Sequence, residues 1–599
     1  MKNQLTNKEI AKLLRNIAAV YLLTGENQFK IIAYQKAADT IEGLSRELRD
    51  IWQEGRLNTV PTLGKALQEH LDEYFKKGKS KHFEAILKKI PASVFKLMDI
   101  SGIGPKKAFR LVKELKLMDS EDVINDLNKA CQENKVASLE GFGERSQEKI
   151  KKAIRFYQQK ISQPQRMPLP YAFNIASEVV DYLKRLLIIK RIDVLGSLRR
   201  YQSSIGDIDI AVQVKNLPTK DKEKNCKEII DYFIKYPKAI KVDNAGEKKA
   251  SIIVDPFIRV DLRIEEEKNY GAMLQYFTGN KAHNIKLREY ALKRGYSLSE
   301  YGIKELNGNK FHSFSNEEEF YNFLGLQYIP PELREGKEEI ILAQKKEIPK
   351  LVEVKEIKGD LHVHSSYEIY PSHDLGEDDY TTLLKKANLL NYQYLGWADH
   401  NPKNTLSEDE IINILRRRYY FVKNLLDKKI ERTKYFIGIE ADILPDGKIP
   451  IPKEGLKYLD YIIVSVHSSF DMEIKKMTQR VLKALSFPKV KILGHPTGRL
   501  FGRREGFELE WEKIFDYCKK NNIALEINAW PLRLDLPDIL VAEAIRNGVK
   551  LIVNTDSHQA NQLDFMFYGV TVARRGWAKK DDIINTLPYD RFKRWLLNI

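Results

Sequence analysis

Gly196 and Ser197 are followed by Arg199 and Arg200, and then by Gly206, Asp207 and Asp209. The two aspartates alternate with Ile208, Ile210 and Val212, so a strand here puts both carboxylates on one face and the aliphatic chains on the other. Two carboxylates side by side repel each other, and divalent cations between them relieve that repulsion. Ser197, next to a glycine, offers a hydroxyl and a backbone N–H to a phosphate, and the two arginines add positive charge. An isolated Asp-x-Asp reads as a solvated strand end. Together with Gly-Ser and Arg-Arg at this spacing, it predicts a site for metal and phosphate. Asp261, between Val260 and Leu262, alternates outward in the same way and supplies a third carboxylate for a two-metal site.

A second set of chemistry-bearing residues fills the last third of the chain. Seven segments read as strands that end in metal-ligand types: Asp360–His364, Trp397–His400, Gly438–Asp442, Val464–His467, Ile492–His495, Leu525–Asn528 and Val553–His558. Helical stretches separate most of them, which is the pattern of an α/β barrel whose active site gathers at the C-terminal strand ends. Of eleven histidines, seven lie beyond residue 360 and six of those sit at these ends. One histidine alone is usually structural, whereas six on one rim beside Glu440 and Asp556 predict a metal cluster.

The elements that must hold these groups follow in order. Ile10, Leu13, Leu14, Ile17 and Tyr21 mark an amphipathic helix, and residues 29–41 a second, with Lys30 and Lys36 available to phosphates. Residues 59–67, 100–108 and 139–146 share an apolar residue, a small turn, glycine (Gly64; Gly102 and Gly104; Gly141 and Gly143) and then a polar helix start that includes Lys106. Such a turn points backbone N–H groups at a phosphate, so three copies in about ninety residues predict sequence-independent duplex binding. This is the helix-hairpin-helix pattern. Ile175, Val179 and Leu183 begin a helix before the strand into Gly196. Residues 250–264 read as two strands meeting at Pro256, and 276–284 as a tight turn opening a helix that contains Arg288. Residues 326–357 read as a charged linker with one helix.

At 599 residues the chain needs several cores, about four by length. Its hydrophobic content, 43%, is that of a soluble globular protein, and no apolar run is long enough to span a membrane. The polar start from Met1 is unlike a signal peptide, and Cys131, Cys226 and Cys518 form neither a zinc knuckle nor a disulfide framework. A cytoplasmic location follows. The net charge of +17 favours a polyanionic partner.

Residues 1–330 resemble the family X DNA polymerases, the family of DNA polymerase beta, through Gly196, Ser197, Gly206, Asp207, Asp209 and Asp261. The resemblance implies that the three aspartates are catalytic and hold Mg²⁺ or Mn²⁺. It implies that Arg166, Ser197 and Arg200 hold the incoming dNTP, with Gly196 and Gly206 shaping that site. Tyr276, Phe277 and Gly279 would line the sugar pocket, Asn284 the base edge and Arg288 the template side. It departs from the lyase members of that family in one place: the Schiff-base lysine position carries His70, and imidazole cannot form that imine. The last third resembles the polymerase and histidinol phosphatase (PHP) domain, a distorted (β/α)7 barrel. Its ligands would be His362, His364, His400, Glu440, His467, His495, Asp556 and His558, with His373 or Asp374 as a ninth and His373 favoured. Two or three Mn²⁺ or Zn²⁺ ions would bind there, with Arg499 on a substrate phosphate.

The expected architecture is a multidomain α+β and α/β chain. Residues 1–90 form a helical DNA-binding domain, 91–160 a fingers-like one, 161–265 a palm and 266–325 a thumb; a linker, 326–357, leads to the PHP barrel at 358–599. The expected partner is gapped or nicked duplex DNA, with no membrane and a monomeric state. The expected activities are short gap filling in DNA repair and a metal-dependent nuclease, 3′–5′ exonuclease or abasic-site endonuclease. The competing readings are an RNA nucleotidyltransferase, a small-molecule phosphatase with a targeting module, and a non-enzymatic DNA scaffold. The three hairpins and the Tyr276–Gly279 segment speak against the first.

Overall fold

The computed structural model describes residues 7–43, 48–53, 55–60, 62–100, 102–118, 122–162, 166–215, 219–254, 258–308, 310–427, 432–501, 504 and 506–599. The chain divides into two compact units, Met1–Gln165 and Arg166–Ile599.

The first unit is helical, and one apolar core runs through it from Ile10 to Ile154. The core is therefore continuous across residue 90, where the sequence suggested a division. Helix Pro105–Glu114 starts at Gly104, and helix Gly143–Ser162 starts directly on a glycine. Gly102, Gly141 and Gly143 have φ of +83°, +77° and +63°, a conformation costly for residues with a Cβ. The first hairpin, before helix Lys65–Lys77, puts Thr62 rather than Gly64 in that conformation, with φ +68°. Gly64, Gly102, Gly104, Gly141 and Gly143 are exposed, as are Lys30 and Lys106. His70 lies in helix Lys65–Lys77 and stacks on His82, ring centroids 4.0 Å apart.

In the second unit, five strands make the sheet that carries the aspartates: β1 (Ile189–Val194), β2 (Asp207–Val214), β3 (Ala239–Ala245), β4 (Lys249–Val254) and β5 (Ile258–Glu265), in the order β1-β2-β5-β4-β3. Only β2 and β5 pair in parallel. Ile208, Ile210, Val212, Val260 and Leu262 are fully buried, which leaves the opposite face to the carboxylates. The expected junction of two strands at Pro256 lies outside the described residues, although β4 and β5 flank it.

Seven further strands, β6 (Gly359–Val363), β7 (Tyr394–Trp397), β8 (Lys434–Asp442), β9 (Tyr461–Ser465), β10 (Val490–Leu493), β11 (Ala524–Asn528) and β12 (Leu551–Asn554), pair in parallel in chain order. A parallel bridge from Val363 to Ser557 brings the first strand to the last, and the ring is nearly closed.

Residues 326–357 are not a linker. They hold one α-helix, Glu339–Lys345, and two 3-10 turns, and Leu326, Ile329, Leu333 and Ala343 join the core of the segment 272–351. Three of the charges that suggested a linker, on Glu332, Arg334 and Glu339, are buried. Arg334, fully buried, donates to Glu317 at 2.5 Å, and Glu339 accepts the backbone N–H groups of Gly336 and Lys337.

Candidate functional site

The first centre is built on β2 and β5. Their parallel register sets Asp209 beside Asp261 and Asp207 beside Arg259, so three carboxylates share one end of two neighbouring strands. Burial, with Asp207 and Asp261 close by, pushes the Asp209 carboxyl up to about 7. Burial and Asp261 raise Asp207 as well. Asp261 goes the other way: burial alone would raise it, but Arg259, whose Nε donates to it at 2.8 Å, holds it down. Two of three carboxylates are thus poorly compensated by the protein itself, which is the electrostatics of a cation site.

Gly196 presses against this cluster. A Cβ built on it would lie 2.6 Å from Asp209 Oδ2, and its φ is +58°, so the position takes glycine on both counts. The backbone N–H of Leu195 donates to the Asp209 carbonyl at 2.8 Å and fixes the turn to the strand. Ser197 Oγ is buried with no hydrogen-bond partner, an unmet demand that an anion would meet.

The other residues expected around the nucleotide are less free. Arg166 is exposed and donates from Nε to Ser204 Oγ at 3.0 Å and from its other nitrogen to the Ser204 carbonyl. Arg200 is turned onto the helix end after Tyr276 and Phe277: its Nη1 donates to the carbonyls of Thr278, at 2.5 Å, and Gly279, at 3.2 Å. Burial lowers its guanidinium to about 10. Asn284 Nδ2 donates to the Tyr276 carbonyl at 2.7 Å, and its Oδ1 accepts from Gln275 at 3.0 Å, so the amide expected at a base edge braces its own turn. A Cβ on Gly279 would collide with that amide at 2.4 Å. Arg288 Nε donates to the Asn284 carbonyl at 3.4 Å. Tyr276 and Phe277 meet edge to face, centroids 5.0 Å apart, and Arg263 covers the Phe277 ring.

The second centre sits where β6 to β12 end. His364, His400, His467, His495, Asp556 and His558 lie just past their strands, and His362 and Glu440 near the ends of theirs. Four triads each bring ligand atoms within 4.8 Å of one another: His362, His364, Asp556; His364, His400, His558; His400, Glu440, His467; and His373, Asp442, His467. His495 Nε2 stands 3.0 Å from Glu440 Oε1. Five imidazole nitrogens, on His362, His364, His400, His495 and His558, are buried without a hydrogen-bond partner. Bare nitrogens of this kind around shared carboxylates suit borderline divalent metals. Burial lowers His364 to about 3 and His495 to about 4, which keeps them neutral and able to donate a lone pair. His467 moves up to about 9, because Glu440 and Asp442 outweigh its burial.

Both residues proposed as a ninth ligand reach the rim. His373 joins Asp442 at 3.0 Å, while Asp374 approaches His400 at 3.4 Å and His558 at 3.5 Å. Sequence reasoning did not single out Asp442, although Gly438–Asp442 names its strand end. It also passed over Glu526, buried on β11, which meets His362 Nδ1 at 2.7 Å and accepts from the His495 backbone N–H. A carboxylate behind a metal-type histidine fixes its tautomer.

Arg499 is corrected by its surroundings. Its Nε donates to the Arg533 carbonyl at 2.8 Å and another nitrogen to the Leu534 carbonyl, so it builds a loop rather than facing a phosphate. The loop it builds presents Arg533, whose Nε lies 3.7 Å from Asp556 and whose Nη1 is buried and unpartnered.

With this geometry in place, known proteins bear on it. Three family models match: a helix-hairpin-helix domain over residues 5–80, the DNA polymerase beta thumb over 273–335 and the PHP domain over 360–529. The DNA polymerase/3′-5′ exonuclease PolX of Bacillus subtilis is 34% identical over 582 residues, covering 96% of this chain and 97% of that protein. The chain belongs to the PolX family of family X DNA polymerases with a PHP domain. DNA polymerase lambda of Arabidopsis thaliana is 22% identical over 372 residues, 55% of this chain and 62% of the plant protein. The thumb match ends at Glu335, beyond residue 325 and inside the stretch first read as a linker.

Proposed function

We propose that the chain is a DNA-directed DNA polymerase that fills short gaps during repair, with the PHP barrel serving as a fused metal-dependent nuclease. The end-to-end identity to the Bacillus protein carries this reading, supported by two separate, chemically equipped centres.

In the polymerase centre, Asp207, Asp209 and Asp261 hold Mg²⁺ or Mn²⁺. Such ions, held by these three residues, would supply charge neutralisation for the triphosphate and activation of the primer 3′-hydroxyl. Ser197 donates to a phosphate oxygen through its unpartnered hydroxyl, and Arg166 and Arg200 add charge at the pocket edge. Tyr276, Phe277 and Gly279 wall the sugar. In the barrel, the histidines with Glu440 and Asp556 hold two or three Mn²⁺ or Zn²⁺ ions, which supply Lewis-acid activation for phosphodiester hydrolysis. Glu526 orients His362, and Arg533 is better placed than Arg499 to meet the substrate phosphate. The exposed hairpin glycines and Lys106 take duplex phosphates without reading sequence. His70, stacked on His82, gives no lysine for an imine, and a lyase of that type is absent from the proposal. Among the described residues no helix is long and apolar enough to cross a membrane; the likeness to the Bacillus DNA polymerase supports a cytoplasmic place.

The test of the barrel assignment is metal content measured with hydrolysis of a 3′ end. Glu440→Gln is expected to lose at least one equivalent of bound metal and to stop hydrolysis while dNTP incorporation continues. Hydrolysis at the wild-type rate by that variant contradicts the assignment.

A further inference from the structure

Helix Met566–Arg575 belongs to the barrel, yet its last residue touches the polymerase side. Arg575, nearly buried, donates from Nη1 to the backbone carbonyl of Arg200 at 2.9 Å and to Glu335 Oε1 at 3.0 Å. Its Nε donates to Asp538 of the barrel at 2.8 Å. Glu335 is a four-way junction. Besides Arg575, it accepts from Gln202 at 2.9 Å and from Asn280 at 3.0 Å, and it lies 3.7 Å from Arg200 Nε. Asn280 follows Gly279 and caps helix Lys281–Leu292, so one carboxylate ties the palm turn, the thumb turn and the barrel together. Beside it, Tyr201, at φ +51°, meets Phe567 of the same barrel helix edge to face at 5.7 Å.

We propose that Arg575 is a positioning residue for the nucleotide pocket, so that the nuclease barrel sets how tightly the polymerase centre takes a deoxynucleoside triphosphate. The inference rests on reading Ser197, Arg200 and Tyr276–Gly279 as that pocket. Without Arg575, the charged neighbour left to the Glu335 carboxylate among the described residues is Arg200, at 3.7 Å. Arg200 Nε is buried without a hydrogen-bond partner, so its guanidinium is drawn to Glu335 and off the Thr278 and Gly279 carbonyls. The turn that walls the pocket then loses two of its ties. Arg575 bonds to the Arg200 carbonyl, Glu335 and Asp538 rather than to Asp207, Asp209 or Asp261, so binding suffers and the chemical step does not.

The experiment is steady-state incorporation on a gapped duplex with the full chain, alongside barrel hydrolysis of a single strand. Arg575→Met, Arg575→Lys, Glu335→Gln and the Met/Gln double variant are compared. A fluorescent deoxynucleoside triphosphate is also titrated onto each protein–DNA complex. Arg575→Met is expected to raise KM for the dNTP about tenfold, weaken the titrated nucleotide in parallel, and leave kcat and hydrolysis within twofold. Arg575→Lys restores part of the affinity, and the double variant is no worse than the worse single, because both remove one shared contact. Unchanged KM, or a fall in kcat matched by a fall in hydrolysis, overturns the inference. Ser197→Ala is the control for the pocket reading: if it leaves KM for the dNTP and the titrated affinity unchanged, the reading beneath the inference fails instead.

Discussion

At the scale of single residues, the polymerase centre is a place where the fold holds charge it does not neutralise. Asp209 is pushed up to about 7 by burial and its two aspartate neighbours, so its ionised form disfavours the folded state above its ordinary value of 3.8. Asp209→Asn is therefore expected to raise the melting temperature of metal-stripped protein while reducing primer extension by about a thousandfold or more. Differential scanning calorimetry and extension assays on the same preparations check both halves. Gly196→Ala is expected to lose extension without losing barrel hydrolysis, since the new methyl strikes Asp209 Oδ2. The aspartates were legible because a strand's alternation is written in the sequence: Ile208 and Ile210 declare the buried face, and the carboxylates take the other. Arg200 was not, because its direction is set by Glu335 and the Thr278–Gly279 carbonyls, which the chain brings near only after folding. Arg499 failed for the same reason, its guanidinium being captured by a loop more than thirty residues on.

At the scale of elements, the barrel rim shows how strand ends turn a list of histidines into a site. The clustering of the strand-end histidines with Glu440 and Asp556 was readable because each lies at or near the end of an apolar strand, but the places of Glu526 and Asp442 were not, since a carboxylate's partner depends on which strands become neighbours. Glu526→Gln is expected to weaken metal binding about ten- to a hundredfold, because His362 loses the anionic acceptor that fixes its tautomer. Competition with a chelator measures this. The stretch 326–357 misled because charged residues imply solvent, whereas Glu332, Arg334 and Glu339 are buried here. Arg334→Met, which leaves Glu317 to Arg199 at 2.5 Å, is expected to cost about 1–3 kcal/mol of the stability of this region, read by denaturant unfolding.

The same region supplies a pH dependence. His283 is fully buried, with Glu339 at 2.7 Å from Nδ1 and Tyr321 at 3.0 Å from Nε2. Burial lowers its pKa below 6.5 despite the Glu339 carboxylate, so the folded state binds this proton less readily than the unfolded chain. Stability contributed by the neutral ring is present above 6.5 and declines as pH falls below it. His283→Gln is expected to flatten the loss of stability between neutral pH and about pH 5, the range in which histidine titrates.

At the scale of the whole molecule, the fold joins two phosphoryl chemistries that run in opposite directions. The first unit offers three glycine turns to duplex phosphates, and the second carries both the strand-borne carboxylates and the histidine rim. Among the described residues the two candidate metal sites draw on different elements: Asp207, Asp209 and Asp261 lie on the five-stranded sheet, while the residues proposed as barrel ligands come from β6 to β12 and the loops that follow them. Separate ligand sets mean separable activities. The most direct test is a gapped duplex with all four dNTPs and Mg²⁺ or Mn²⁺, read at once for extension and for 3′-end cleavage, with wild type, Asp207→Ala and His400→Ala. The account predicts that Asp207→Ala stops extension alone and His400→Ala stops cleavage alone; loss of both activities in either variant would contradict it.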